Sequence, residues 1–252
     1  MEARMLKEAR YIWPIFKREF ASYFATPLAY VFIVIFLLAM GAFTFYVGRF
    51  FDNNIADLSV FFGYHPWLYL FLVPAISMRL WAEERRTGTM ELLLTLPVPL
   101  WATVTGKYLA AWAFIAVALA LTFPIWITVN YLGSPDNGVI VASYIGSLLM
   151  AGGYLAIGAC LSATTSNQVI AFVVTVVVCF LFTISGAPLV LDLFRFWAPL
   201  ALVNAVSSFS FLTHFTAIMQ GVIDLRDVIF FLTLIALFLL ANVVIVDLKR
   251  GD

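Results

Sequence analysis

Six long apolar runs dominate this chain of 252 residues and limit what it can fold into. About 20 apolar residues in an α-helix cross the hydrocarbon core of a bilayer, where a helix satisfies its own backbone hydrogen bonds. The runs therefore predict an all-α integral membrane protein with six transmembrane helices. The predicted spans are Leu28–Val47, Val60–Leu80, Tyr108–Tyr131, Val139–Leu161, Val169–Leu189 and Val228–Val246, with kinks expected at Pro66, Pro74 and Pro124.

The composition agrees with a membrane protein and argues against other classes. Hydrophobic residues make up 64% of the chain and charged residues only 11%, whereas soluble domains carry about 25% charged residues. The net charge is zero, which argues against nucleic acid as a partner because phosphate binding needs a basic surface. Cys160 and Cys179 lie inside apolar runs, so we expect buried, unreactive thiols. No cleavable signal peptide is expected before the first span.

Three less apolar segments complete a single transmembrane domain over residues 1–252. Residues 1–26 mix basic and aromatic side chains, and Pro14 interrupts a longer helix, so we expect a short interfacial helix on the cytoplasmic membrane surface. Residues 79–107 form a polar cytoplasmic segment. Residues 190–227 alternate aromatic and hydroxyl side chains, which predicts short outer interfacial helices between the fifth and sixth spans. A seventh span in that segment is the alternative.

The placement of Lys and Arg predicts the orientation. Six spans with both termini inside give eleven basic residues inside and three outside, in agreement with the positive-inside rule. The inside set is Arg4, Lys7, Arg10, Lys17, Arg18, Arg79, Arg85, Arg86, Lys107, Lys249 and Arg250, and the outside set is Arg49, Arg195 and Arg226. We therefore expect a multi-pass protein of a bacterial cytoplasmic (inner) membrane with both termini in the cytoplasm.

The chain offers little that could perform chemistry. It has no Gly-x-x-x-x-Gly-Lys-Ser/Thr phosphate loop. Its predicted spans contain essentially no ionisable residues between their ends, whereas ion-driven transporters and intramembrane hydrolases need them. His65 and His214 stand alone and far apart, which predicts interfacial or packing histidines without a metal. Asp227 is expected to cap the sixth helix, and a substrate-binding role for the cluster with Asp224 and Arg226 is the alternative.

Small residues are concentrated in the fourth predicted span. They include Gly146, Gly152, Gly153, Gly158 and Ala159, in and beside the run Ser147–Leu161. Small side chains let helices approach closely. Packing within the chain is the simplest expectation, and contact between two copies is the alternative.

The densest polar stretch, Arg79–Pro99, is the candidate functional site. Arg79–Arg86 is expected to continue the second helix into water, and Gly88 to end it, since glycine is the usual residue just past a helix terminus. Thr89 is then placed to cap a second short helix, Met90–Leu96. In that helix Glu91 would lie in the first turn, and Leu92, Leu93, Leu94 and Leu96 would form an apolar edge that fits a groove on a soluble partner. Packing of these leucines along the membrane surface is the alternative.

A family resemblance rests on several stretches. Residues 82–98 (AEERRTGTMELLLTLPV) resemble the cytoplasmic signature of type-2 ATP-binding-cassette (ABC) transporter permeases, and the preceding residues 74–79 (PAISMR) are also typical of them. Residues 16–27 resemble the family's interfacial helix and the entry to its first span. His214 and Phe215, with the run GVIDLRD at 221–227, resemble the gliding-motility-associated subgroup. The resemblance runs through the whole chain in matching order.

This resemblance implies a complex of two permeases, identical or homologous, with two cytoplasmic ABC ATPase subunits. The ATPase would bind ATP and Mg²⁺, so this chain would hold no cofactor and catalyse no reaction. Its coupling helix region would receive the force of ATP-driven closure. The residues implied in that role are Glu83, Glu84, Arg85, Arg86, Gly88, Thr89, Glu91, Leu92, Leu93 and Leu94.

Two functions follow as hypotheses. The first is the permease subunit of an ATP-driven exporter, embedded in membrane lipid and moving an unidentified substrate. The second is a mechanotransmission or scaffold subunit that relays ATPase motion to a periplasmic partner without moving cargo. In the second case the aromatic segment Phe194–Phe215 would be the docking surface.

Overall fold

The computed structural model describes residues 10–52, 55–90, 98–195 and 198–249, and most of this part of the chain is helical. In chain order the helices are α1 (Ile12–Phe24), α2 (Pro27–Gly41, continued by π-helical turns over Ala42–Val47), α3 (Ser59–Gly63), α4 (His65–Ser77), α5 (Arg79–Thr87), α6 (Leu100–Ala120), α7 (Phe123–Leu132), α8 (Asn137–Ser162), α9 (Gln168–Ile184), α10 (Pro188–Arg195), α11 (Leu200–Ser208), α12 (Phe211–Met219) and α13 (Leu225–Leu248). The described residues contain no strand. The prediction of an all-α fold is confirmed.

Helix α8 is the centre of the bundle. It packs against α4, α6, α9, α12 and α13, and every residue of Met150–Cys160 is buried. A Cβ on Gly153 would lie 3.0 Å from the ring of Phe211 in α12, and a Cβ on Gly146 would lie 2.7 Å from Ile218. Such approaches need small residues. The expectation that the small-residue run packs within the chain is therefore confirmed.

Four described helical segments are long and apolar enough to cross a membrane: Ala29–Val47, Leu100–Leu132, α8 and α13. A fifth is obtained if α11 and α12, which meet at 67°, count as one span. The predicted second and fifth spans correspond to α4, with 13 residues, and α9, with 17 residues. Both are shorter than the roughly 20 residues that a straight span needs. Four to five spans are supported by length and composition, and a count of six stays a prediction.

The outward faces of the long helices are apolar, as expected for contact with lipid. The half-exposed or exposed side chains include Val31, Ile35 and Leu38 of α2, Val173, Val177 and Leu181 of α9, and Leu232, Leu237 and Leu240 of α13. A water-soluble protein rarely exposes apolar patches of this extent. Together with the spans, these faces establish a multi-pass membrane protein.

The third span begins earlier than predicted. Helix α6 starts at Leu100, and Lys107 lies inside it, so the last part of the expected polar segment is helical. The helical span is interrupted just before Pro124, between α6 and α7. There the Thr122 hydroxyl donates to the Leu119 carbonyl at 2.6 Å. By contrast, Pro74 lies inside α4 without ending it.

The segment after α9 folds as the short helices α10, α11 and α12. Phe211 and Phe215 of α12 are buried in the core, whereas Phe209 is 58% exposed. The proposed docking surface Phe194–Phe215 is therefore wrong for Phe211 and Phe215, because their face of α12 packs on α8. The side chains of Phe194–Trp197 lie outside the described part of the chain.

Two predictions at the start of α13 are wrong. The N-cap is Asp224, whose carboxylate accepts the Arg226 N–H at 3.0 Å. Asp227 lies in the first turn, with Oδ1 2.6 Å from Nδ1 of His214. The other ring nitrogen of His214, Nε2, is 2.9 Å from the Ser208 carbonyl oxygen. His214 does not stand alone, because the turn between α12 and α13 brings it against Asp227.

The remaining residues of interest for chemistry are buried packing residues. His65 is fully buried against the rings of Phe61 and Tyr69, as expected for a packing histidine. Cys160 and Cys179 are free and buried. These side chains fill the core.

Candidate functional site

The polar helix α5 follows α4 with only Met78 between them, so the expected continuation of the second helix is found. Within α5, Arg79 Nε donates to Glu83 Oε2 at 2.7 Å and Arg79 Nη2 donates to Oε1 at 3.0 Å, and both side chains are partly buried. This hydrogen bonding lowers the pKa of the Glu83 carboxyl below its ordinary value and raises the pKa of the Arg79 guanidinium. The pair is spaced four residues apart on one helix face, which favours such a contact.

Gly88 ends α5 as predicted. Its φ of 72° lies in the left-handed region, which glycine adopts without the steric cost that a Cβ brings. The Thr89 hydroxyl donates to the Glu84 carbonyl at 3.3 Å and pairs with the Thr87 hydroxyl at 3.0 Å. In its described contacts Thr89 therefore bonds to a carbonyl near the C-terminal end of α5, whereas the sequence predicts that Thr89 caps the following helix.

A buried lysine joins α5 to two other helices. Lys107 of α6 is 3% exposed, and its Nζ bonds to Oε1 of Glu84 in α5 and lies 3.4 Å from Oε2 of Glu19 in α1. The same ammonium group lies 5.5 Å from the centre of the Trp81 ring, within the range of a cation–π contact. We call Lys107, Glu84 and Glu19 the Lys107 junction.

The Lys107 junction was missed by reasoning from the sequence. The sequence indicates only that Lys107 is one of the inside charges, because helical periodicity does not show which distant helix a side chain meets. A signal was nevertheless present. A single lysine in a long apolar helix needs an anionic partner if it is to be buried, and carboxylates lie on the two neighbouring polar segments.

The junction forms one wall of a cleft of about 540 Å³ between α1, α2, α4, α5 and α6. Its lining includes the apolar residues Phe32, Leu72 and Phe114 and the charged residues Arg79 and Glu83. Helix α1 closes one side because Gly106 of α6 admits it closely: a Cβ there would lie 2.8 Å from Ile15. The helix expected at residues 1–26 is present from Ile12 to Phe24, with Pro14 in its first turn.

The predicted site residues fall into three groups. Glu83, Glu84 and Arg85 are partly buried and bonded within the bundle, and Arg86, Gly88 and Thr89 form the exposed end of α5. Glu91, Leu92, Leu93 and Leu94, with most of the expected helix Met90–Leu96, lie outside the described residues. Among the described residues, no group of three His, Cys, Asp or Glu is placed to hold a metal ion. The arrangement is suited to mechanical contact.

Comparison with known proteins identifies the family. A family model described as "ABC-2 family transporter protein" matches residues 53–246, which are 194 of the 252 residues. No curated protein matches the chain. The matched region contains α5, Lys107, α8 and all but the last two residues of α13. The chain belongs to the ABC-2 family of transporter proteins and is a multi-pass membrane permease.

Proposed function

We propose that this permease couples ATP hydrolysis by a separate cytoplasmic ATPase to the export of a substrate. The observation that carries the proposal is the Lys107 junction. Permeases of this family generally pair with a cytoplasmic ABC ATPase. To pass its motion to the membrane helices, such a partner needs to contact a helix that is held firmly against them. The junction fixes α5 to α6 and α1 through buried charges while the far end of α5 stays exposed.

The proposed ATPase-contacting surface consists of the exposed end of α5 and the residues that follow it. It comprises Arg86, Gly88, Thr89, Glu91, Leu92, Leu93 and Leu94, and Glu83, Glu84 and Arg85 connect it to the bundle. In this proposal the ATPase supplies ATP and Mg²⁺ binding. Two permease chains assemble in the bacterial inner membrane, each with six spans and with both termini in the cytoplasm.

A pair of substitutions at Gly88 tests the surface. A leucine there keeps the left-handed turn only at a cost of about 1–2 kcal/mol, so Gly88→Leu should redirect the chain beyond α5. Asparagine tolerates that conformation, so Gly88→Asn is the matched control. We expect Gly88→Leu to reduce co-purification of the ATPase at least several-fold while the permease still inserts, and Gly88→Asn to retain it. Equal ATPase recovery from both variants would contradict the proposal.

Charge reversal at the junction separates binding from coupling. Glu84→Arg places a second cation beside Lys107, so α5 should lose its fixed position. In vesicles that hold the permease and its ATPase, we expect ATP hydrolysis to lose its dependence on the permease. Normal association together with normal activity of the Glu84→Arg variant would overturn the coupling role.

The relay to a periplasmic partner is the second candidate function, and one observation favours it. Phe209, at the bend between α11 and α12, is 58% exposed, and Leu202, seven residues earlier on the same face of α11, is 44% exposed. If this face captures a partner, Phe209→Ala should abolish capture while Leu237→Ala, on the outward face of α13, should not. ATP-dependent accumulation of candidate cargo in vesicles, unaffected by Phe209→Ala, would favour export.

A further inference from the structure

Helix α5 begins without a cap of its own. The first N–H groups of an α-helix have no partners inside the helix, and an N-cap side chain usually accepts one or more of them. The residue in that position is Met78, whose side chain makes no such bond. The Met78 N–H bonds back to the Pro74 carbonyl of α4 at 2.9 Å, and N–H groups further along α5 receive a partner from another part of the fold.

The cap is provided by Ser162, at the end of α8. Its Oγ accepts the N–H of Trp81 at 3.2 Å and the N–H of Ala82 at 3.1 Å, and it donates to the Met78 carbonyl at 2.9 Å. A serine hydroxyl has one donor and two acceptor lone pairs, so these contacts use its full capacity. Ser162 is fully buried, and water therefore does not compete for the three bonds.

Two neighbouring contacts hold the same place. One turn before Ser162, a Cβ on Gly158 would overlap the side chain of Ser77, the last residue of α4, and would lie 3.0 Å from Thr175 of α9. One residue after Ser162, the carbonyl of Ala163 accepts a hydrogen bond from Arg85 Nη1 at 3.3 Å. The end of α8 thus contacts the end of α4, the start of α5 and a point one turn further along α5.

We infer that Ser162 is the positioning residue of the coupling helix, binding the start of α5 to α8 so that the two move as one body. The inference rests on the proposed function, since the joint has this task only if the ATPase displaces α5. Without Ser162 a displacement would be absorbed at Met78, between α4 and α5. With it, the displacement reaches α8, the helix on which α4, α9 and α13 pack, and close-packed interiors transmit such strain.

The test measures the distance between spin labels at Thr87 of α5 and Thr164 beyond α8, which are both exposed. It uses full-length chains in nanodiscs, with Cys160 and Cys179 replaced by alanine and with labelled chains diluted by unlabelled ones. Ser162→Ala removes the cap. Ser143→Ala is the matched control, because Ser143 is a buried serine of α8 whose hydroxyl donates to the Val139 carbonyl of its own helix.

The first measurement uses the permease without ATPase and so does not depend on the proposed function. We expect Ser162→Ala to increase the population outside the wild-type distance about five-fold, the change that follows from a loss near 1 kcal/mol. The Ser143→Ala control should keep the wild-type distribution. If the Ser162→Ala and Ser143→Ala distributions are the same, the joint does not exist as inferred.

The second measurement adds the ATPase with ATP and vanadate, or leaves it nucleotide-free. In the wild type the distance between Thr87 and Thr164 should be the same in both states, because α5 and α8 move together. In Ser162→Ala it should differ between the states, because α5 moves alone. A nucleotide-dependent distance in the wild type would overturn the inference. Failure of the ATPase to bind the unlabelled wild type would instead overturn the proposed function.

A second variant covers the case in which Ser162→Ala does not insert. Ser162→Cys has nearly the same volume, but its thiol is a weak donor and acceptor. In this variant the labels at Thr87 and Thr164 are attached through p-acetylphenylalanine, so that the new thiol is not labelled. We expect a broadening of the distance distribution between those of the wild type and Ser162→Ala. A wild-type distribution in Ser162→Cys would contradict a role for the hydrogen bonds.

Discussion

The described part of the chain contains two clusters of ionisable side chains within the bundle, and they are built in different ways. The Lys107 junction joins α5 to α6 and α1. The pair His214 and Asp227 lies where α12 meets α13. In the junction, Lys107 bonds to Glu84, 23 residues away, and reaches the more distant Glu19 of α1. His214 and Asp227 are only 13 residues apart, on the two sides of the connection between α12 and α13. The first cluster makes α5 depend on distant helices, and the second closes a local hairpin.

The difference indicates what each cluster is suited to do. A link between distant helices fixes the positions of these helices relative to one another. A displacement of one helix is therefore transmitted to the others. A local hairpin lock stabilises its own segment whether or not α5 moves. We therefore expect changes at the junction to affect both stability and coupling, and changes at His214 and Asp227 to affect stability alone.

The largest effect should come from removing the centre of the junction. Lys107→Met keeps the length of the side chain but leaves Glu84, with its side chain 19% exposed, without its cation. Glu19 keeps only the exposed Arg18 as a partner. Removing one partner of a buried pair costs about 3–5 kcal/mol, so we expect a loss of about 3 kcal/mol in the free energy of unfolding. Equilibrium unfolding in mixed micelles, together with ATPase stimulation, measures both expected effects.

The matched control for Lys107→Met is Arg18→Met. Arg18 also contacts Glu19, at 2.6 Å, but its side chain is 60% exposed. Exposed ion pairs contribute about 0–1 kcal/mol. A loss as large for Arg18→Met as for Lys107→Met would show that burial of Lys107 is not the source of the effect.

The second largest effect should appear at Asp227. Asp227→Asn keeps the size of the side chain but removes the carboxylate that faces Nδ1 of His214, and both ring nitrogens of His214 face acceptor oxygens. Weakening a buried charged hydrogen bond in this way should cost about 2 kcal/mol. Unfolding should report the loss, and ATPase co-purification should be unchanged if the hairpin is independent of α5.

Asp224→Asn provides the control, since Asp224 lies three residues earlier. Its carboxylate caps α13, and asparagine caps helices about as well as aspartate, so the free energy of unfolding should change little. Loss of ATPase binding in Asp227→Asn would contradict the expectation that the pair His214 and Asp227 affects stability alone.

The sequence predicts elements better than the contacts between them. The spans matching α2, α8 and α13 and the end of α5 at Gly88 follow from run length and from glycine chemistry. The pairing of His214 with Asp227 does not, because both Asp224 and Asp227 are placed to cap α13 and only the turn before α13 selects between them.

Some of the missed structure was nevertheless encoded in local pattern. Phe211, His214, Phe215 and Ile218 have the spacing of one helix face, which predicts burial of that face. The alternation of aromatic and hydroxyl residues instead predicts an interfacial surface, and for Phe211 and Phe215 that prediction is wrong. The cap from Ser162 had no such signal, since residues 80 positions apart meet only through the packing of α8 on α4.

The third effect concerns the close approach of α8 to the end of α4. Gly158→Ala adds a methyl group that overlaps Ser77, and overpacking of this kind costs about 1–3 kcal/mol. We expect a loss of about 1–2 kcal/mol on unfolding, together with a weaker response of ATPase activity to the permease. Gly41→Ala in α2 is the control, because a Cβ there has no neighbour within 4 Å. Destabilisation by both substitutions would point to loss of helix flexibility and not to the contact with Ser77.

The smallest effect should come from the pair Arg79 and Glu83. This pair lies on α5, as Glu84 of the junction does, but it is more exposed than the junction. Because Arg79 lowers the pKa of Glu83 in the folded protein, the pair stabilises the fold at pH values above the ordinary Glu pKa and loses that contribution as the pH falls through the lowered value. The side chains are 32% and 33% exposed, so solvent screening limits the contribution to about 0.5 kcal/mol. The free energy of unfolding of Glu83→Gln should differ from that of the wild type by about this amount at pH 7, and the two should converge as the pH falls below the lowered pKa of Glu83. Arg79→Gln should give the same difference. A pH-independent difference would show that the charge on Glu83 contributes nothing, and a difference as large as that of Lys107→Met would mean that burial does not distinguish the two sets of charges on α5.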